Sequence, residues 1–168
     1  MVLNKSELIS SLQHEVRILV HIAGKVEPQM RDYRPTPKQR SAFELLQYMS
    51  IMGPGLIRAA KAGRFDPAVW TVEEKKAAAR SFDETVAAIA AQRDEYAALL
   101  DGISDAEMRE EIEMFGRKQL RGPFIVNLVL GGHAAYRTQL FLYLKSCGRE
   151  ELGTMNLWAG VDAPAATA

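Results

Sequence analysis

The chain has 168 residues, a length that suits one domain with a sizeable hydrophobic core. Apolar residues make up 48% of it and charged residues 25%, proportions that exclude intrinsic disorder for most of the chain. The 21 lysines and arginines equal the 21 aspartates and glutamates in number, so the formal net charge is zero. Nucleic-acid binding, which requires a basic face, is therefore not expected.

Cysteine content and apolar runs bear on the cellular location. Cys147 is the only cysteine, so neither an intramolecular disulfide nor a cysteine-based zinc cluster can form. The N-terminus has no basic start followed by an uninterrupted apolar stretch, which a signal peptide would have. The longest apolar run, residues 123–136, is too short to cross a bilayer. We expect a cytoplasmic protein without a membrane partner.

Helical patterns dominate the first half of the chain, where alanine and leucine are abundant. An apolar stripe at steps of three and four predicts a first helix over residues 5–26. Residues 28–40 hold three prolines and are expected to form a connection. A polar residue followed three positions later by Glu, the capping box that starts helices, occurs at Asn4/Glu7, Thr71/Glu74, Ser81/Glu84 and Ser104/Glu107.

The middle of the chain continues this pattern with one interruption. A second helix is predicted over residues 41–62, and Pro54 is expected to kink it or split it in two. Residues 63–69 are expected to form a loop. Residues 71–80 then form a short helical lead-in to a third long helix over residues 82–100.

The last part of the chain is predicted to hold one small and one long helix. Residues 104–114 read as a short amphipathic helix, and residues 116–123 as a basic loop. The fourth long helix, residues 124–146, is apolar on nearly all sides, which is typical of a central helix or one shared with another subunit. Residues 149–168 form a C-terminal extension whose end is expected to be disordered. The prediction is a single all-α domain, a four-helix bundle with short extra helices.

The three histidines are candidate metal ligands or catalytic bases. His14 and His21 share one face of the first helix, opposite its apolar stripe, and are expected at the surface. His133 lies in the apolar fourth helix. A second metal ligand one turn away would fall at Val129 or Arg137, which are not zinc ligands. Two interpretations of His133 stay open: a buried or interface histidine bonded to a neighbour, or a general base in a pocket.

Two segments carry a resemblance to a known family. Residues 40–49, Arg-Ser-Ala-Phe-Glu-Leu-Leu-Gln-Tyr-Met, resemble the start of the second helix in DinB-like (damage-inducible, YfiT-type) proteins. Residues 136–140, Tyr-Arg-Thr-Gln-Leu, together with residues 143–145 and Gly148, resemble the last-helix signature of that family. The number of predicted helices and the order of their lengths agree with this family over residues 5–148.

The resemblance implies an up-down-down-up four-helix bundle that is commonly dimeric. Many members of the family hold a divalent metal with three histidines, one from the second helix and two, four residues apart, from the last. Some members are thiol-dependent S-transferases, and others are hydrolases or isomerases.

The chain departs from this family at the metal ligands. Carried over residue by residue, the three ligand positions are Tyr48, Gly132 and Tyr136, and none is a histidine. A tyrosine hydroxyl with a pKa near 10 binds divalent metals poorly. A shift of one residue brings in His133 but also Arg137, whose charge repels a cation. We therefore expect no metal cofactor; the alternative is a divalent metal such as zinc or nickel on an unusual ligand set.

Three functional hypotheses follow, and the sequence leaves open whether the protein is an enzyme. The first is a small-molecule ligand pocket without catalytic metal. Its lining is expected at Tyr48, Gly132 and Tyr136, with His133, Gln139 and Tyr143 as neighbouring candidates, although these residues can also form a polar core without a ligand. The second is a metal-dependent thiol S-transferase or hydrolase. The third is a non-catalytic structural or interaction protein that forms a homodimer.

Overall fold

A computed structural model describes residues 3–164 of the chain. It contains four α-helices in its first part: α1 (Lys5–Ala23), α2 (Ala42–Ala62), α3 (Pro67–Ala78) and α4 (Phe82–Asp101). An antiparallel hairpin of β1 (Glu111–Met114) and β2 (Arg117–Leu120) follows. The last helical segment comprises α5 (Arg121–Phe124), a π-helical stretch (Ile125–Leu130) and α6 (Gly131–Ser146). Short 3-10 turns occupy Pro28–Met30 and Glu107–Arg109, and a π-helical turn occupies Met155–Ala159.

The all-α helical bundle predicted from the sequence is confirmed. Helices α1, α2 and α4 and the last helical segment pack around a core in which Leu12, Met49 and Phe124 are fully buried. Because each long helix carries its apolar residues at three- and four-residue steps, each can bury one face against the others. No helix within residues 3–164 is long and apolar enough to cross a membrane.

Capping boxes start three of the long helices. The boxes predicted at Asn4/Glu7 and Ser81/Glu84 form as expected, and a third forms at Ser41/Glu44, which the sequence analysis missed. The prediction at Thr71 is wrong, because Thr71 lies inside α3. That helix begins at Pro67, and the Asp66 side chain accepts hydrogen bonds from the first backbone N–H groups.

Helix α2 continues through Pro54 as one helix, so the expected split is wrong. The glycines on both sides of Pro54 explain why the helix persists, since each lets another helix pack closely. A Cβ atom on Gly53 would lie 1.7 Å from the Tyr96 hydroxyl of α4, and one on Gly55 would lie 3.0 Å from the Trp70 ring of α3. Packing from two sides therefore holds the segment in its helical conformation.

The predicted amphipathic helix over residues 104–114 is also wrong. The Ser104/Glu107 hydrogen bonds do form, but they start a single 3-10 turn that is followed by strand β1. Ile112 and Met114 are buried while the two glutamates beside them are exposed, the period-two pattern of a strand. The expected basic loop over residues 116–123 forms β2 and the start of α5.

The C-terminal extension is anchored to α1 and α6 through Arg137. This buried guanidinium lies 2.5 Å from the Glu15 carboxylate and also donates a hydrogen bond to the Leu157 carbonyl. It faces the Trp158 ring at 5.3 Å. The disorder expected at the end of the chain concerns residues 165–168, which lie outside the described residues.

Candidate functional site

A cavity of about 540 Å³ opens between α2, α3, the hairpin turn and the last helical segment. Tyr48, Gly132 and Tyr136, the three positions that the resemblance assigns to metal ligands, all line it. We call it the aromatic cavity, because five aromatic side chains contribute to its lining. The remaining lining residues are Arg40, Met52, Leu56, Phe65, Trp70, Glu74, Phe115, Asn127, Leu128, Gly131 and Ala135.

The rings of Tyr48, Phe65, Trp70, Phe115 and Tyr136 form one continuous aromatic wall. Tyr48 packs edge-to-face on Tyr136, with ring centroids 5.2 Å apart, and on Trp70 at 6.2 Å. Phe65 continues the contact, with its ring 5.5 Å from Trp70 and 4.8 Å from Phe115. Such distances give favourable aromatic contacts and leave ring faces available to a ligand.

The absence of a side chain at Gly132 shapes the floor of the cavity. A Cβ atom there would lie 3.1 Å from the terminal methyl carbon and 3.4 Å from the sulfur of Met52. A larger residue, such as a histidine, would therefore require the Met52 side chain to move. The pairing of Gly132 with Met52 leaves an apolar surface at this position.

The Tyr48 hydroxyl is kept in its protonated form. Burial raises the pKa of the Tyr48 hydroxyl, and the neighbouring Tyr136 raises it further, while the Arg40 charge lowers it to a smaller extent. Since the ordinary value is already near 10, the Tyr48 hydroxyl is neutral at physiological pH. It can donate a hydrogen bond to a ligand, but it is not an anionic metal ligand.

Two charged side chains stand at the opening of the aromatic cavity. The Arg40 guanidinium stacks over the Tyr48 ring at 4.1 Å from its centroid. Glu74 of α3 lines the same opening. Neither Arg40 nor Glu74 forms an ion pair within residues 3–164.

The residues at this site do not fit the divalent metal that the resemblance implies. Tyr48 offers a protonated hydroxyl, Tyr136 offers a second tyrosine hydroxyl, and Gly132 offers no side-chain donor. Across the described part of the chain, no group of three or more His, Cys, Asp or Glu side chains could hold a metal ion. Imidazole, thiolate and carboxylate are the ligands that such metals require, so no chemical step is assigned to a metal here.

His133 is fully buried behind the cavity and does not line it. Its Nε2 atom lies 2.5 Å from the Tyr96 hydroxyl, which donates to the Gln92 side-chain oxygen at 3.1 Å. Because that hydroxyl has one proton, Nε2 of His133 is the donor, and its Nδ1 atom has no partner among the described residues. Burial lowers the pKa of His133 to about 4. Of the two open interpretations, this geometry matches a buried histidine bonded to a neighbour.

The other candidate polar residues lie away from the cavity. Gln139 donates to the Tyr143 hydroxyl at 2.5 Å, and the Tyr143 ring packs edge-to-face on Tyr33. His14 is exposed and bonded to Arg17, as expected of a surface histidine. The surface position expected for His21 is wrong, because its side chain is only 17% exposed and lies against the C-terminal extension, where it contacts Asn156.

Sequence reasoning missed most of the aromatic wall. Phe65 follows α2, Trp70 lies in α3, and Phe115 lies at the hairpin turn, so no single spacing rule connects them. The sequence held a local signal for Phe65, which lies between Arg64 and Asp66, but none for Trp70, which follows Pro-Ala-Val. In the structure, Phe115 is 55% exposed. Exposed aromatic residues that cluster in space are typical of binding surfaces.

Comparison with solved structures places the fold. No protein-family model matches the sequence, and no curated protein matches it either. The crystal structure of a DinB-like protein from Bacillus subtilis, YjoA, superposes with a TM-score of 0.70 at 18% sequence identity. The superposition covers 87% of this chain and 95% of that chain. The chain therefore has the DinB-like fold, an all-α helical bundle, as the resemblance implied.

Proposed function

We propose that this DinB-fold protein binds a small organic molecule in its aromatic cavity and uses no metal there. The observation that carries the proposal is that aromatic side chains, and not metal ligands, line the cavity. At the positions where the resemblance implies histidines, the cavity of about 540 Å³ presents two tyrosines and a glycine beside three further aromatic rings. Cavities of this size, apolar with a few polar groups, are typical small-molecule sites.

The backbone at Phe115 supports a role for the aromatic wall. Phe115 has a φ of +54° and Gly116 a φ of +73°, the two-residue turn that normally carries Asn-Gly. A phenylalanine in the left-handed region costs about 1 kcal/mol or more relative to residues that favour it. The sequence therefore keeps a ring at the cavity where stability alone favours asparagine, as expected if the ring contacts a ligand.

The polar groups of the cavity match an organic ligand better than a metal ion. The protonated hydroxyl of Tyr48, the Arg40 guanidinium and the Asn127 amide can all donate hydrogen bonds, and Glu74 can accept one. A metal-dependent transferase or hydrolase would require several anionic or imidazole donors at the same place, and Glu74 is the single side chain of that kind in the cavity lining. The donor set gives that alternative no support.

A homodimer is a second proposal, and it is compatible with the first. Leu142 of α6 is 56% exposed and Trp158 of the C-terminal extension is 63% exposed, and neither lines the aromatic cavity. Large apolar side chains at the surface favour association with a second copy. A dimer of this kind is consistent with the interaction-protein hypothesis.

Ligand binding is tested by a thermal-shift screen of aromatic small molecules and low-molecular-weight thiols. Ala135 lies at the cavity opening and is exposed, so Ala135→Leu adds bulk there without disturbing the core. Ala98→Leu makes the same change at an exposed position of α4 outside the cavity. We expect compounds that stabilise the wild type and Ala98→Leu but not Ala135→Leu. Compounds that stabilise all three equally, or no stabilising compound at all, would contradict the proposal.

A further inference from the structure

The opening of the aromatic cavity carries one charge of each sign. Arg40 precedes α2 and Glu74 lies on α3, and both residues line the aromatic cavity together with Tyr48. Both also line a smaller adjoining cavity of about 210 Å³, again with Tyr48. The two charges therefore stand on the same side of the opening, with the Tyr48 ring as their common neighbour.

Neither charge has an ion-pair partner within residues 3–164, whereas two nearby carboxylates are paired. Glu44, on the helix that follows Arg40, pairs with Arg34 at 3.1 Å. Glu73, adjacent to Glu74, pairs with Lys76 at 2.9 Å. The fold thus pairs the nearby carboxylates but leaves Glu74 and Arg40 available at the cavity.

The stacking of Arg40 determines how it can bind a ligand. The central carbon of the guanidinium lies over the Tyr48 ring, 4.1 Å from the centroid, and its N–H groups have no hydrogen-bond partner among residues 3–164, so they can bind a ligand. These N–H groups match the two oxygens of a carboxylate. Both charges act on the same site, since Arg40 lowers the pKa of the Tyr48 hydroxyl and Glu74 raises it.

A ligand that covers this opening removes water from both charges. A purely anionic ligand would leave Glu74 facing a like charge, and a purely cationic ligand would do the same to Arg40. A ligand with one charge of each sign compensates both. We propose, on the basis of the ligand-binding function above, that the aromatic cavity takes an aromatic zwitterion: its ring contacts the aromatic wall, its carboxylate binds Arg40 and its ammonium group binds Glu74.

Four compounds with the same phenyl ring separate the contributions of the carboxylate, the ammonium group and the ring to the affinity. Phenylalanine carries both charges, 3-phenylpropanoate only the carboxylate, 2-phenylethylamine only the ammonium group, and 2-phenylethanol neither. Binding is followed by the fluorescence of Trp70 in a Trp158→Phe background, because the chain has two tryptophans and only Trp70 lines the cavity. We expect phenylalanine to bind about tenfold or more tightly than each of the other three.

Charge-neutralising variants assign each group to its partner. Arg40→Gln is expected to lower the affinity for phenylalanine and 3-phenylpropanoate about tenfold and to leave the affinity for 2-phenylethylamine unchanged. Glu74→Gln is expected to lower the affinity for phenylalanine and 2-phenylethylamine and to leave that for 3-phenylpropanoate unchanged. Lys38→Gln, on the same connection as Arg40, and Glu73→Gln, beside Glu74, are the matched controls. Neither control residue lines the aromatic cavity, so both should leave all four affinities unchanged.

The outcomes separate this inference from the proposed function. If the four compounds bind with equal affinity, or if the two variants lower all the affinities equally, the proposed ligand class is wrong. The proposal that the cavity binds a ligand is not affected by that result. Stronger binding of 3-phenylpropanoate or 2-phenylethylamine than of phenylalanine would also contradict the proposal of a zwitterionic ligand. If none of the four compounds binds, the proposal of a zwitterionic ligand is wrong. The thermal-shift screen then tests the proposed function separately.

Discussion

The Nε2 atom of His133 lies 2.5 Å from the hydroxyl oxygen of Tyr96, and both side chains are fully buried. The contact joins α6 to α4 through a space that exists because Gly53 of α2 has no side chain. Tyr96 then bonds to Gln92, whose amide donates to the Met49 carbonyl of α2 at 2.8 Å. Three helices of the bundle are thus connected by one buried polar network.

This network predicts how stability depends on pH. The pKa of His133 is lowered from 6.5 to about 4 by burial, so the unfolded chain takes up a proton at a pH where the folded protein does not. The free energy of unfolding therefore falls as pH decreases from 6.5 towards 4, and this residue contributes about 3 kcal/mol to the decrease.

Urea unfolding of the wild type and of His133→Gln across this pH range checks the effect. The variant should lose less stability on acidification than the wild type, whatever its stability at neutral pH. His14→Gln, which removes an exposed histidine, is the control and should follow the wild type. Equal pH dependence in His133→Gln and the wild type would refute the prediction.

Gly53→Ala should destabilise the protein strongly. The added methyl group would lie 1.7 Å from the Tyr96 hydroxyl and 3.1 Å from Nε2 of His133, so the buried network has to separate. We expect a loss of about 3 kcal/mol in the free energy of unfolding. Gly131→Ala, whose methyl group meets nothing nearer than 3.5 Å, should change stability by less than about 1 kcal/mol. Equal effects of the two substitutions would show that the close approach at Gly53 is not required.

Phe115→Asn should affect stability and ligand binding in opposite directions. Asparagine favours the positive φ of this turn, so the variant is expected to gain about 1 kcal/mol in unfolding free energy. It also removes a ring from the aromatic wall, so the affinity for aromatic ligands should fall. Phe115→Ala removes the ring without relieving the backbone and should lose affinity with no gain in stability. Unchanged affinity in both variants would exclude Phe115 from ligand binding.

Protein purified without an affinity tag should contain no stoichiometric zinc or nickel. The reason is chemical: two tyrosines and a glycine at the three positions supply no ligand that such ions prefer. Elemental analysis by mass spectrometry checks this directly. Stoichiometric metal that is lost in the Tyr48→Phe/Tyr136→Phe double variant would place a metal at the cavity and favour the metal-dependent alternative.

The protein should be a homodimer at micromolar concentration, as measured by light scattering. Leu142→Asp introduces a charge at an exposed position of α6 outside the aromatic cavity and should shift the mass towards the monomer. Lys75→Asp, at an exposed position of α3, is the control. A monomeric mass for the wild type would contradict the prediction.

The sequence by itself located the elements whose signals are local. Apolar stripes placed α1, α2 and α4 within a few residues of their observed ends, because each helix has its own buried face, and capping boxes also marked the starts of α1 and α4. The hairpin was missed because a strand pair of this length offers only two inward residues, Ile112 and Met114, and a capping box stood just before it. The resemblance brought out Tyr48, Gly132 and Tyr136, which the fold brings to one cavity.

Only the tertiary structure decided what surrounds those three residues. Trp70, Phe65 and Phe115 come from α3, the segment before it and the hairpin turn, and packing alone brings their rings together. The state of His133 likewise depends on Tyr96, a residue 37 positions away on another helix, and on the missing side chain of Gly53. Contacts between distant segments leave no periodic pattern in a single sequence, so neither the aromatic wall nor the buried network can be read from spacing.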